Sequence, residues 1–252
     1  MQVVAIVAGA AAVMFLVELL APGRPWKKVT GWWGRAVLLN GVQVSAVFIS
    51  GVTWDRWFGG WALLRLEDYL GFSGGAVAGY VVITFIYYWW HRWRHDVPWL
   101  WRVFHQVHHS PQRIELITSF YKHPVEIFVN SVLSSAIVYI LCGLSPAAAS
   151  LSVLLTGLGE LFYHWNVNTP RWIGFFFQRP ESHCIHHKTD WHRQNFSDLP
   201  IWDMAFGTFH NPYRFESTCG FEDDYELRLG EMLKAVDLYE SASAGAGGGE
   251  KT

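Results

Sequence analysis

Four stretches of this chain carry no charged side chain: residues 2–17, 36–53, 71–90 and 127–159. Nothing else in the sequence narrows the fold as sharply. A helix rises about 1.5 Å per residue, so crossing a hydrocarbon core of about 30 Å takes roughly 20 apolar residues. Within lipid the backbone must also satisfy its own hydrogen bonds, which favours helices. The first three stretches reach the required length with help from their flanks. The fourth is longer and is interrupted by Gly143, Leu144, Ser145 and Pro146, a turn composition. It reads as a helical hairpin with arms of roughly 15 residues, short enough to dip into a membrane without fully crossing it.

Composition points the same way. Hydrophobic residues make up 51% of the 252 positions and charged residues 16%, too apolar for an ordinary soluble domain. Trp26, Trp32, Trp33, Trp54, Trp57, Trp61 and the run Tyr87-Tyr88-Trp89-Trp90 mark segment ends, as interfacial belts do. The expected fold is all-α: an integral membrane helical bundle of about four membrane segments, the last a hairpin, with a cytosolic helical cap. Residues 1–240 form one domain, and the Ser-, Ala- and Gly-rich residues 241–252 a disordered tail. Residues 223–239 read as a peripheral amphipathic helix. The first segment lacks a basic leader and a small-residue cleavage site, so it reads as an uncleaved anchor. The loop after it holds Arg24, Lys27, Lys28 and Arg35 with no acid, whereas the loop after the second segment balances Arg56 and Arg65 against Asp55, Glu67 and Asp68. Basic residues favour the cytoplasmic side, which places the first loop and the later histidine clusters there.

A net charge of −2 gives no footprint for nucleic acid. Cys142, Cys184 and Cys219 share no spacing that suggests a disulfide framework.

Eight of the twelve histidines fall in three short clusters: His91 and His95; His105, His108 and His109; His183, His186 and His187. Positions i, i+3 and i+4 share a helix face, so each cluster can aim several rings at one point, and neutral imidazole is the commonest protein metal ligand. Together they supply too many nitrogens for one tetrahedral ion, and the adjacent pairs can serve two metals. His91 and His95 could instead touch lipid head groups beside Arg92 and Arg94. His164 stands alone at the end of the hairpin, either structural or a further ligand. Glu160, one turn earlier in an apolar run, reads as hydrogen-bonded to a ligating histidine. His123 is open between ligand, supporting residue and loop; Asn166 reads as a supporting residue, His192 as a supporting or substrate-side residue, and His210 as structural. Cys184 reads as a bystander facing away from the triplet around it.

The segments HRWRH (91–95), HQVHHSP (105–111), KHPVE (122–126), HCIHH (183–187) and NFSDLPIWDMAFGTF (195–209) resemble the fatty acid hydroxylase/sterol desaturase superfamily, over about residues 75–212. The resemblance implies an integral membrane non-haem di-iron oxygenase. It implies metal ligation by His91, His95, His105, His108, His109, His183, His186 and His187, with His164 a ninth ligand and no catalytic side chain beyond them. Some relatives carry another histidine four residues beyond His164, where this chain has Asn168, and many have glycine where Ser197 stands. Two iron ions, O2 as co-substrate, a lipid substrate such as a fatty acyl chain, sterol or ether lipid, and electrons from a ferredoxin, b-type cytochrome or reductase are implied with it. Hydroxylation or desaturation of an unactivated C–H bond is the expected reaction.

Two other classes compete. A metal-binding or metal-transport protein needs ionisable groups along a path through the membrane, whereas these clusters sit at segment ends. A hydrolytic zinc enzyme would be expected to show HExxH, which is missing.

Overall fold

The structure is a computed structural model that describes residues 2–239 except His192 and Asp223, with side chains from residue 9 onward. The expectations for His192 and for the 241–252 tail therefore lie outside the described residues. The apolar stretches become α1 (Gln2–Leu20), α2 (Trp32–Val52), the short α3 (Trp54–Phe58) and α4 (Leu66–Asp96). Pro98 opens α5 (Pro98–Leu100), which passes through a π-helical turn at Trp101–His105 into α6 (Gln106–His109). The hairpin is α7 (Pro124–Ser135), prolonged by π-helix at Ala136–Leu141, and α8 (Pro146–His164). Three short helices follow: α9 (Pro180–His186), α10 (Pro200–Ala205) and α11 (Leu229–Met232).

Among the described residues, four stretches are long and apolar enough to cross a membrane: Trp32–Phe58, Leu66–Asp96, Pro124–Leu141 and Pro146–His164. The last two are the hairpin arms. At 18 and 19 residues they exceed the length expected from sequence, because helix continues through the π segment and starts directly at Pro146. Ser145 caps α8 by accepting the Ala148 N–H. Gly143 turns the chain at φ +65°, a conformation open chiefly to glycine. The turn is held at the far end of the bundle. Leu63, Leu64 and Leu66 donate their N–H groups to the carbonyls of Ile140, Leu141 and Cys142, and the Glu67 carboxylate accepts from Ser145 N (2.7 Å). The arms thus run as deep as α4 itself.

Helices α4 and α8 lie side by side because small residues meet between them. A Cβ on Gly79 would stand 2.6 Å from Ser152 Oγ, and that hydroxyl donates to the Ala76 carbonyl at 2.8 Å. At the opposite end, buried Glu18 of α1 accepts the N–H groups of Leu116 (2.9 Å) and Asn166 (2.7 Å). The C-terminal ends of α1, α4 and α8 and the N-terminal ends of α2 and α7 gather there. A core around Trp32, Trp101, Tyr121 and Met232 packs against them.

The described part of 223–239 is not one amphipathic helix. It breaks into a 3-10 turn at Tyr225–Leu227 and the four-residue α11, and Ala235 adopts φ +58°. Tertiary bonds stop the helix: Gln106 Nε2 donates to the Val236 carbonyl, and Met232 and Leu238 are fully buried.

Candidate metal centre

Residues i and i+4 lie about 40° apart around a helix, so each i, i+4 pair projects from one face. Three such pairs reach the same end of the bundle: His91 and His95 from α4, His105 and His109 along α6, His183 and His187 along α9. Among the described residues, nine imidazoles converge there in two groups. His91, His95, His105, His109 and His186 form one, and His108, His164, His183 and His187 the other. In each group one nitrogen per ring lies within 4.8 Å of the rest. The adjacent doublets divide between the groups, His109 and His186 in the first and His108 and His187 in the second. The groups abut where His109 stacks on His187, ring centroids 4.1 Å apart and 13° from parallel.

The rings are aimed from behind. Nδ1 of His91 bonds the Phe196 carbonyl (2.7 Å), Nδ1 of His186 the Gln194 carbonyl (2.8 Å) and Nδ1 of His164 the Glu160 carbonyl (2.9 Å). A carbonyl only accepts, so each Nδ1 carries the proton and Nε2 keeps its lone pair for the centre. His91 Nε2 and His105 Nε2 are buried with no hydrogen-bond partner among the described residues. Burial holds the pKa values of His105, His108, His109 and His183 well below the usual imidazole range, with neighbouring imidazoles and, at His105, the Arg94 guanidinium pushing the same way. They are neutral at pH 7, the form that binds metal. Neither group contains a carboxylate or thiol among the described residues. An all-nitrogen, largely buried donor set fits transition-metal ions such as iron.

With this geometry, the fatty acid hydroxylase family signature matches residues 76–208, more than half the chain. The chain belongs to that family. Similar proteins include the ornithine lipid hydroxylase OlsE of Rhizobium tropici, 32% identical over 56% of this chain and 44% of that protein. The sphingolipid C4-hydroxylase sur2 of Schizosaccharomyces pombe is 29% identical over 50% and 44% of the two chains, and human alkylglycerol monooxygenase 26% over 52% and 30%. The chain thus covers less than half the length of each. No solved structure matches significantly. The four long apolar helices and the family membership make this an integral membrane protein.

Around this fatty acid hydroxylase centre the remaining candidates fall in different places. His123 stands outside both groups: its Nδ1 accepts the Val125 N–H and caps α7. Glu160 supports His164 through its backbone carbonyl, while its carboxylate pairs with Lys122. Asn166 ties the loop after α1, donating to the Arg24 carbonyl at 3.0 Å. Asn168 reaches the Gly23 carbonyl, and Ser197 N donates to Asp203. Cys184 lies outside both groups with its carbonyl against Cys219 Sγ, and His210 is exposed.

Several polar groups at the centre are absent from the sequence reading. Arg94 ion-pairs with Glu126, and both lie against His105 Nδ1, at 3.1 and 3.4 Å. Gln178 Nε2 lies 2.7 Å from His183 Nδ1. Asp198 bonds Tyr163, and its pKa is raised to about 7 by burial and by nearby Glu160. The one available signal was a charged residue, Glu126, standing at the edge of an otherwise uncharged stretch.

Proposed function

We propose that this protein is a di-iron lipid oxygenase that hydroxylates an unactivated C–H bond, with O2 as co-substrate. The observation that carries the reading is the convergence of nine imidazoles, seven of them buried, in two adjoining groups among the described residues. His91, His95, His105, His109 and His186 would hold one iron, and His108, His164, His183 and His187 the other. Two irons held there would supply the redox and Lewis-acid chemistry that activating O2 requires, the reducing electrons coming from an external donor.

The chain's own contribution is positioning. The carbonyls of Phe196, Gln194 and Glu160 fix three rings in the ligating tautomer. The Arg94–Glu126 pair steadies His105 without joining either group. Burial keeps bulk water from the centre and favours neutral rings over protonated ones. Exposed apolar residues of α4 and α8, among them Val77, Val81, Phe85 and Val153, would face lipid, the phase in which a fatty acyl chain, sterol or ether lipid resides. Electrons would come from a ferredoxin, b-type cytochrome or reductase, reaching the centre from the cytoplasmic side, which the basic residues of the loop after α1 favour for it. The names of the three relatives, two lipid hydroxylases and a monooxygenase, support hydroxylation over desaturation.

The test is mass spectrometry of lipids from cells with and without the protein. A lipid gaining one oxygen supports the proposal, and a loss of two hydrogens replaces hydroxylation with desaturation. His108→Ala and His186→Ala should abolish turnover and reduce bound iron together. Undiminished turnover in either variant would refute the assignment.

A further inference from the structure

Away from the imidazoles, a cleft of about 670 Å³ opens between the loop after α1 and the segment around Phe215 to Glu222. That volume suits a small molecule or a lipid head group. Its wall includes Arg24, which is only 8% exposed. Arg24 Nη1 and Nη2 are buried and have no hydrogen-bond partner among the described residues. The carboxylate beside it, Glu181, is 3.7 Å away and already engaged. Glu181 accepts from Thr169 N and Oγ1, both at 2.7 Å, and ion-pairs with Arg179 at 3.0 Å. One carboxylate therefore faces two guanidinium groups. Arg179 is hydrogen-bonded by Thr169, Asn211 and Pro212, so the uncompensated charge falls on Arg24.

A second orphaned donor lines the same cleft. Trp26 Nε1 is buried with no hydrogen-bond partner among the described residues. Lys27 adds a further donor. The cleft's own carboxylates, Glu216 and Glu222, are exposed, where solvent screens them. A buried guanidinium fork and an indole N–H meeting in one cleft make a receptor for tetrahedral or planar oxyanions.

We propose that this cleft binds a phosphate group. Arg24 follows the end of α1 at Leu20 by four residues, so the phosphate can belong to a phospholipid head group or to a free phosphate. The cleft also touches the histidine-bearing segment, because Gly220, next to the lining residue Cys219, donates its N–H to the His187 carbonyl at 3.1 Å.

The test uses the full chain purified in detergent. Thermal unfolding is followed while inorganic phosphate is titrated against chloride of equal ionic strength. The wild type should show a saturable rise in melting temperature. Arg24→Gln should weaken the apparent affinity by about tenfold or more, and Trp26→Phe by roughly a few-fold. Arg228→Gln, at an exposed pair with Glu231, should leave it unchanged. If Arg24→Gln fails to fold, Trp26→Phe carries the test, since it removes one N–H and keeps an aromatic ring. Native mass spectrometry then separates the sources. A phospholipid retained by the wild type, displaced by phosphate and lost from the variants assigns a head group; a phosphate shift without retained phospholipid assigns a free phosphate. An equal response in wild type, Arg24→Gln and Trp26→Phe, or no phosphate shift and no retained phospholipid, would overturn the proposal.

Discussion

Glu126→Leu is the most informative single change at the centre. Glu126 is fully buried and its partner Arg94 is 5% exposed, so the substitution strands a guanidinium in a nearly dry site. Breaking such a pair costs about 3–5 kcal/mol, a large share of the roughly 5–15 kcal/mol that holds a typical domain together. The double variant Arg94→Met/Glu126→Leu removes both charges and fills similar volume, and should recover most of that loss. It should not recover metal binding. His105 Nδ1 lies 3.1 Å from Arg94 and 3.4 Å from Glu126, and losing such support weakens metal affinity by roughly 10–100-fold. Thermal unfolding in detergent measures the first effect, and chelator competition with metal analysis the second. A double variant as unstable as the single one, or one that binds metal as the wild type does, would contradict these roles for the pair.

Other outcomes test separate parts of the structure. His187→Ala leaves three imidazoles in its group and His109→Ala leaves four in the other, so His187→Ala should lose more metal by elemental analysis despite the stacking of the two rings; the reverse order would contradict the grouping. Glu18→Ala strands the N–H groups of Leu116 and Asn166, at about 1–3 kcal/mol each, whereas Glu18→Gln keeps an acceptor and should cost about 1 kcal/mol; equal melting temperatures for the two variants would exclude this anchoring. Metal-free protein should lose stability as pH falls. His105, His108, His109 and His183 have folded-state pKa values held well below the unfolded value of about 6.5, so their contribution is complete above that pH and declines below it. The slope is at most about 1.4 kcal/mol per pH unit for each ring, and a melting temperature flat from about pH 7.5 to 5.5 would disprove it.

The legible part of this protein is the part with a local cause. Uncharged stretches of membrane length become helices because lipid leaves the backbone no other partner, and Gly143 to Pro146 turn the hairpin because glycine and proline restrict the chain there. The pairs 91/95, 105/109 and 183/187 project together because helix geometry alone dictates it. Everything that depends on distant approach had to wait for the tertiary structure. Residues i+3 and i+4 lie about 100° apart around a helix, so the sequence can separate His108 from His109 without saying which group either joins. The choice follows from where α4, α8 and α9 stand around α6. His123 could not be resolved from its neighbours, because capping α7 and reaching Leu233 are both outcomes of packing. The depth of the hairpin depended on the loop before α4 pairing with its turn. The Arg94–Glu126 pair joins residues 32 positions apart, and no periodicity announces it. Helix periodicity acts over a few residues, whereas burial and charge pairing are properties of the assembled molecule.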